Sequence, residues 1–362
     1  MASIEEIKQA LTRVIDPELG KNVVELGMIR DIQLADGQVK ILLALTIAGC
    51  PMSNQLRSQT QAAAESVPGV KNVTVELTSM TPEERQKIHS RAPSRAPQAL
   101  NLNQIGRIVA VLSGKGGVGK SSVTSLLATA LQRQGLTVGI LDADITGPSI
   151  PRMFGITGPV PSVPFGILPI KSSSGVRVIS TNLMVPEEDT AVVWRGPVVS
   201  NTIKQFWSDV LWGRLDYLLI DLPPGTSDAT LTVMEALPLD GVVLVTMPQG
   251  LSSMVVRKTV HMAQGLKVPI LGIVENMSYF VSPETGTRFE IFGPSQTDKV
   301  TASANAPLLG CLPIDPHLAE LADTGQIEAY THPAYDALAC AFMEAIPAVA
   351  PRPAAARMAQ PA

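Results

Sequence analysis

The sequence has few cysteines, no excess of basic residues and no long apolar stretch without proline. Three cysteines in 362 residues, far apart and odd in number, argue against a disulfide framework. A net charge of −4 lacks the basic excess that is typical of nucleic-acid-binding proteins. The longest uncharged run, Met153–Ile170, is interrupted by prolines and cannot form a membrane helix. No apolar segment follows Met1, which argues against a secretory signal. We therefore expect a cytoplasmic protein without stable binding to nucleic acid or membranes.

The first 80 residues predict a small α+β domain with the element order α-β-β-α-β. Hydrophobic residues make up 45% of the chain and charged residues 17%, so there is material for more than one core. Residues 81–103 carry three prolines and several charges, a composition that is typical of a linker. The elements predicted for the small domain are the helices Ser3–Val14 and Met52–Ser66 and the strands Met28–Leu34, Gln38–Thr46 and Val70–Leu77.

Residues 104–347 alternate apolar strands with helical segments, which predicts an α/β domain with a doubly wound, mostly parallel sheet. Several strands are almost continuously apolar, as expected when both faces of a sheet are covered. Residues 348–362 are rich in alanine and proline and predict a disordered tail. The candidate strands are Arg107–Ser113, Thr137–Leu141, Val176–Ser180, Tyr217–Asp221, Gly241–Thr246, Ile270–Glu275 and Leu308–Leu312.

A phosphate-binding loop follows the first of these strands. Gly114–Ser121 matches G-x-x-x-x-G-K-[ST], and Ser122–Arg133 has the composition of a helix. Glycines let the backbone curl around phosphate oxygens, and the helix N-terminus adds amide donors. Lys120 is expected to reach the β- and γ-phosphates and Ser121 to hold Mg²⁺. The alternative is a glycine-rich turn without a ligand. The residues predicted to bind nucleotide here are Gly114, Lys115, Gly116, Gly117, Val118, Gly119, Lys120, Ser121 and Ser122.

Three charged residues extend this site. Asp221 ends an apolar strand and is followed by a Pro-Pro-Gly turn, which is the pattern of the second acidic element that lies near Mg²⁺. Asp144 follows the strand Thr137–Leu141 and is a candidate for orienting water, although a lone aspartate there also suits a turn. Lys115, a second lysine in the loop, suits neutralisation of transition-state charge, and its alternative is a solvated loop lysine.

Two further strand ends are candidates for contacts with the base of a nucleotide. Asn276 directly follows Glu275, and its amide could either bind the adenine edge or cap the strand. Pro313 lies in Leu312-Pro313-Ile314-Asp315, a second candidate loop on the base side. The residues alone leave both alternatives open.

Four segments, GKGGVGKSS, LDADITGPS, YLLIDLPPGTSD and ENMSYF, together closely resemble the Mrp/ApbC group of ATPases, which are iron–sulfur cluster carriers related to MinD, ParA and the nitrogenase iron protein. The segment TIAGCPM resembles the PaaD-like domain often fused to them. The resemblance implies a homodimer that hydrolyses ATP with Mg²⁺, with Lys115 reaching the partner subunit and Asn276 lying against adenine. It also implies iron–sulfur scaffolds or client apoproteins as partners.

The chain departs from this family at the expected cluster site. Many members have a C-x-x-C pair after ENMSYF, but Ser282 and Thr285 occupy those positions here. Hydroxyls are poor ligands for iron–sulfur clusters, which favour thiolates. Cys50 precedes a predicted helix, where a thiolate is favoured, and is the remaining candidate ligand. Cys311 and Cys340 are predicted to lie in the core.

Two functions follow from these observations. The first is an ATP-hydrolysing carrier or assembly factor that transfers iron–sulfur clusters to apoproteins. The second is a dimeric, nucleotide-dependent switch ATPase that carries no cluster and acts through partner binding by its N-terminal domain. Slow hydrolysis of ATP is expected in both.

Overall fold

The computed structural model describes residues 2–14, 22–35, 37–45, 53–80, 98–145, 147–163, 166–184 and 196–355. The chain forms two compact units that divide between residues 96 and 97. No helix in these ranges combines the length and the hydropathy that a membrane span requires. Cys50, most of the expected linker and the last seven residues of the expected tail lie outside the described residues.

The first unit has the predicted α-β-β-α-β order. Its three-stranded sheet has the order β1-β2-β3, with β1 antiparallel and β3 parallel to β2. Ser3 and Glu6 form a reciprocal capping box at the start of α1, whose buried side chains include Ile7 and Leu11. The elements are α1 (Ile4–Leu11), β1 (Ile29–Ala35), β2 (Gln38–Leu45), α2 (Ser53–Glu65) and β3 (Asn72–Ser79).

The second unit contains the predicted doubly wound sheet. Its central strands are parallel to one another. Antiparallel strands lie at its two margins, and a further one, β15, pairs with the start of the central strand β4. The order is β13-β12-β11-β4-β10-β5-β9-β8, with β14 beside β12 and β15 beside β4. The strands are β4 (Gln104–Ser113), β5 (Val138–Asp142), β6 (Ser162–Val163), β7 (Gly166–Ile167), β8 (Ile170–Lys171), β9 (Arg177–Ile179), β10 (Arg214–Asp221), β11 (Gly241–Thr246), β12 (Ile270–Val281), β13 (Arg288–Phe289), β14 (Leu308–Ile314) and β15 (Arg352–Pro353). β6 and β7 form a separate small hairpin.

Helices cover both faces of this sheet, which explains why its strands are apolar throughout. Along β4, Ile108 and Leu112 belong to one hydrophobic cluster, whereas Val109 and Val111 belong to another on the opposite face. The helices are α3 (Gln98–Leu102), α4 (Lys120–Arg133), α5 (Ile150–Met153), α6 (Gly196–Asp209), α7 (Asp228–Ala236), α8 (Gly250–Gly265), α9 (Thr297–Ala304), α10 (Pro316–Asp323) and α11 (Pro333–Ala345).

Both ends of this unit extend beyond the predicted boundaries. Residues 98–103 were assigned to the linker, but α3 is helical and Asn103 is fully buried, with its side chain bonded to Val210 and Gly213. The tail prediction is also wrong for residues 352–354. β15 pairs with β4, and the fully buried Ala354 donates its backbone N–H to Asn103 O. The small side chain of Ala354 fits this buried site. A composition rich in alanine and proline therefore did not imply disorder at residues 352–354.

The sequence predicts a strand that ends at Glu275, directly before Asn276. In the structure this strand, β12, continues to Val281. Met277 has φ 55°, and the pairing of β12 with β14 shifts register between Glu275 and Tyr279. The strand resumes after this irregularity and turns at residues 282–287 into β13. Glu275 and Asn276 therefore lie at a bend inside β12.

Candidate functional site

The phosphate-binding loop lies between the central strand β4 and helix α4. Gly117 and Gly119 have φ 77° and φ 76°, a backbone region that favours glycine, and α4 begins at Lys120. A side chain at Gly119 would collide with the amide of Asn276, so this position also requires glycine for close packing. Nucleotides bind beyond the carboxyl ends of such strands, where the order of the sheet reverses. The loop, the strand and the helix therefore have the predicted arrangement.

Lys120 and Asp221 form a buried ion pair at the base of the loop. Lys120 Nζ lies 2.5 Å from Asp221 Oδ2, and both side chains are nearly inaccessible to solvent. Ser121 Oγ donates to the same carboxylate oxygen at 2.6 Å, and Thr124 Oγ1 donates to the other oxygen at 2.7 Å. The structure thus brings together the three residues predicted to serve phosphate and Mg²⁺. A hydroxyl and a carboxylate are hard oxygen donors, so the chemistry of the residues present fits Mg²⁺.

Asp142 is a second buried acid beside this pair, and the sequence analysis did not select it. It lies opposite Asp221 in the pairing of β5 with β10, is fully buried and accepts a hydrogen bond from Ser180 Oγ at 3.1 Å. Burial, and next the Asp221 carboxylate, raise the pKa of Asp142 to about 8. The sequence signal that could have identified Asp142 is its position at the end of an apolar strand, in the segment Leu141–Asp144.

The position of Asp144 is compatible with both roles that the sequence left open. Its half-buried side chain lines a cavity of about 220 Å³ together with the phosphate-binding loop. Asp144 Oδ1 also accepts the backbone N–H of Gly147 at 3.3 Å, as an aspartate in a turn does. Its own N–H donates to Asp142 Oδ1 at 3.2 Å. The turn thus positions the carboxylate at the cavity wall, and orientation of water by Asp144 stays a prediction.

A second cavity, of about 300 Å³, adjoins the first and shares Gly119 and Ser122 with it. Asn276 and Pro313, both predicted to face the base, lie in its lining. Asn276 is buried, and its Nδ2 donates to Val118 O at 2.9 Å, so part of its amide binds the phosphate-binding loop. Phe292 also lines this cavity, and nothing in the sequence indicated that. Contact with adenine stays a prediction for both Asn276 and Pro313.

Lys115 lies at the mouth of the phosphate cavity. Its side chain is exposed, and Nζ lies 3.4 Å from Gln249 Oε1. This position is compatible with both sequence interpretations, the solvated loop lysine and the lysine that reaches a partner subunit.

The positions of the expected cysteine pair lie in the turn between β12 and β13. Ser282 N donates to Thr287 O and Gly286 N donates to Ser282 O, each at 2.9 Å. The Thr285 hydroxyl donates to that of Thr287 at 2.9 Å. Within the described ranges, no group of three or more histidine, cysteine or acidic residues could hold a metal ion.

Neither described cysteine belongs to a group of residues that could hold a metal ion. Cys311 is half-buried, and burial raises the pKa of its thiol, which disfavours the thiolate that iron binds. Cys340 is exposed, so its prediction as a core residue was wrong. It lies just outside the buried stripe of α11, which includes Leu338, Ala339 and Phe342. Cys50, the predicted ligand, lies outside the described residues.

Comparison with known families identifies both units. The model of the NUBPL iron-transfer P-loop NTPases matches residues 104–349. The chain belongs to that family. A second model, described as iron–sulfur cluster assembly protein, matches residues 4–77 of this NTPase. These matches confirm the resemblance on which the sequence analysis relied.

Curated relatives of this NTPase cover most of its length. The iron–sulfur cluster carrier protein of Synechocystis is 40% identical over 330 residues, covering 90% of this chain and 91% of the relative. The protein of the same name from Mycobacterium tuberculosis H37Rv is 41% identical over 330 residues, covering 88% and 86%.

Solved structures confirm the fold. A nucleotide-binding protein from Archaeoglobus fulgidus in complex with ADP is 41% identical, with a TM-score of 0.58, and the match covers 66% of this chain and 95% of that one. MinD from Pyrococcus horikoshii, complexed with Mg-ADP, is 21% identical with a TM-score of 0.50, covering 67% and 96%, and supports the fold alone.

Proposed function

We propose that this NTPase hydrolyses ATP to drive the transfer of iron–sulfur clusters to apoproteins. The observation that carries the hydrolytic part is the Lys120–Asp221–Ser121 network at the base of the phosphate cavity. The cargo part is supported by relatives named as cluster carriers, whose similarity extends over both units. We place the protein in the cytoplasm, with iron–sulfur scaffolds or client apoproteins as its partners.

Each residue of the site has a distinct task in this proposal. The Lys120 ammonium binds the β- and γ-phosphates and offsets charge in the transition state, and Asp144 orients the attacking water. Ser121 Oγ and Asp221 Oδ2, which lie 2.6 Å apart, provide oxygen donors for Mg²⁺. Mg²⁺, when bound, neutralises negative charge on the phosphate oxygens. In a homodimer, Lys115 extends from the cavity mouth toward the partner subunit.

Hydrolysis is tested by Lys120→Ala. We expect steady-state ATP hydrolysis to fall at least about 100-fold, because a preorganised positive charge is lost from the transition state. Lys258→Ala, a change on the distant helix α8, is the control and keeps parental activity. Undiminished hydrolysis in the Lys120 variant would reject the assignment of this site.

The cargo is tested by iron and sulfide analysis after anaerobic reconstitution. We expect the parent chain to bind a cluster through Cys50 together with a second subunit or a partner, and Cys50→Ala to lose it. Cys340→Ala removes an exposed cysteine instead and is the matched control.

The alternative function is a dimeric switch ATPase without cluster cargo. The observation that favours it is the turn at residues 282–287, where hydroxyls replace the expected thiols and bond within the turn. Normal ATP hydrolysis in a reconstituted parent chain that binds no iron would decide for this alternative.

A further inference from the structure

We propose that Glu275 is a positioning residue for the base cavity, by which we mean the cavity of about 300 Å³ lined by Asn276, Pro313 and Phe292. The proposal rests on the proposed binding of ATP, and it concerns how tightly the base is held rather than how fast phosphate is cleaved. Its central observation is a fully buried carboxylate outside the phosphate network, with hydrogen bonds to two segments.

The Glu275 carboxylate connects β12 to residues 295 and 296. Its Oε1 accepts hydrogen bonds from Ser295 Oγ at 3.1 Å and from the backbone N–H of Gln296 at 3.2 Å. Its Oε2 accepts a hydrogen bond from Ser278 Oγ. A buried carboxylate is costly unless its oxygens are satisfied, and these donors satisfy both oxygens. The arrangement therefore fixes the segment at 295–296 against the sheet.

The neighbouring residue extends the connection to the phosphate-binding loop. Asn276 Nδ2 donates to Val118 O at 2.9 Å, while Glu275 faces the 295–296 segment. Adjacent side chains in a strand point to opposite sides, so two consecutive residues reach two different parts of the site. Met277, which follows with φ 55°, itself lines the base cavity.

The segment held by Glu275 follows Phe292, a residue of the base cavity lining, by only three positions. Phe292 lines that cavity and is partly exposed, and Ser295 is exposed on the same segment. The segment leads into α9, whose N-cap residue Gln296 makes no side-chain capping bond. The Glu275 carboxylate thus anchors the segment to the sheet just before the helix. Without that anchor, we expect Phe292 to lose its fixed position beside the base.

The experiment compares Glu275→Gln with Glu290→Gln, which changes an exposed carboxylate close to the same segment. Equilibrium binding is measured for ATP and for inorganic tripolyphosphate, both with Mg²⁺. Tripolyphosphate has no base and reports on the phosphate cavity alone. For Glu275→Gln we expect about tenfold weaker binding of ATP, with tripolyphosphate binding and kcat within about twofold of the parent. Glu290→Gln should match the parent for both ligands.

Equal weakening of both ligands, or unchanged ATP binding, would overturn the positioning role. Phe292→Ala gives a second measurement that leaves the buried carboxylate intact, and it should show the same selective loss of ATP binding. Equal binding of ATP by Phe292→Ala and the parent would also overturn the proposal. A parent chain that fails to bind ATP would instead reject the proposed function, so the two failures are distinguishable.

Discussion

The phosphate cavity and the turn at residues 282–287 belong to the same unit but hold their polar groups differently. At the cavity, Lys120 and Asp221 are buried and bonded to each other and to neighbouring hydroxyls. In the turn, the Thr285 side chain is exposed, and the hydroxyls of Ser282 and Thr285 accept backbone N–H groups of the turn itself, which also has Gly286 at φ 67°. The hydroxyls of the turn thus bond within an exposed segment, whereas those of the cavity bond to a buried carboxylate.

The largest effect is expected at the phosphate cavity, from Asp144→Ala. We expect ATP binding to be retained and single-turnover hydrolysis to fall about 100-fold, because the variant lacks the carboxylate that we propose orients the attacking water. Asp144→Asn is the matched comparison, since it keeps an acceptor for Gly147 N but removes the charge. Both variants should be slow. Near-parental hydrolysis in Asp144→Asn would assign the residue to the turn alone.

The turn is tested by the double change Ser282→Cys and Thr285→Cys. Two thiolates from each of two chains supply the four ligands that a cluster requires, so we expect about one additional cluster per dimer. Iron and sulfide analysis after anaerobic reconstitution measures this gain against the parent. The double change to alanine at the same positions should leave the iron content at the parental value. A double-cysteine variant that folds but binds no additional iron would show that the two missing thiols do not by themselves account for the missing cluster site.

A third prediction concerns the contact between the ends of α5 and α10, two helices that contribute to the linings of the phosphate cavity and the base cavity. Gly155 follows α5 and Gly325 follows α10, and a Cβ at Gly155 would lie 2.8 Å from Gly325 O. Both Gly155 and Gly158 have positive φ, but a Cβ at Gly158 meets nothing within 4 Å. Gly158→Ala should therefore cost about 1 kcal/mol of backbone strain, and Gly155→Ala about 1–3 kcal/mol more. Urea denaturation measures both, and equal losses would contradict the proposed steric contact.

The smallest effect is expected at Glu328, a carboxylate with no role in either region. Burial raises the pKa of Glu328, but hydrogen bonds from Ser172, Ser173 and Ser174 outweigh that effect and lower the pKa overall. A lowered folded-state pKa stabilises the protein above the unfolded-state value near 4.5, and this stability is lost as the pH falls further.

Glu328→Gln should thus cost about 1 kcal/mol of unfolding free energy at pH 7, with solvent screening limiting the loss, and almost nothing near pH 3. Chemical denaturation at both pH values checks this, with the exposed Glu320→Gln as control. A loss that is equal at both pH values would show that the charge of Glu328 contributes nothing.

The sequence predicted the parts of the site that depend on neighbouring residues. Strand, loop and helix around Lys120 follow one another, so their pattern was sufficient to place Ser121 and the loop glycines. Asp142 had a local signal in LDAD, but its place beside Asp221 depends on the pairing of β5 with β10. Phe292 joins the lining of the base cavity only through the fold, which a local pattern does not encode. The bend after Glu275 was missed for a similar reason, since it arises from pairing with β14. Ala354 is buried only because β15 reaches β4.

The pairing of β15 with the first residues of β4 has a consequence for folding during synthesis. Asn103 and Ala354 are bonded through their backbones although they are about 250 residues apart in the chain. Contacts of such long sequence separation form late, because the loop between them must close first. The start of β4 and the buried Asn103 therefore cannot reach their final environment until residues 352–354 have been made. A chain still in synthesis would hold the phosphate-binding loop on a strand whose first residues are not yet covered.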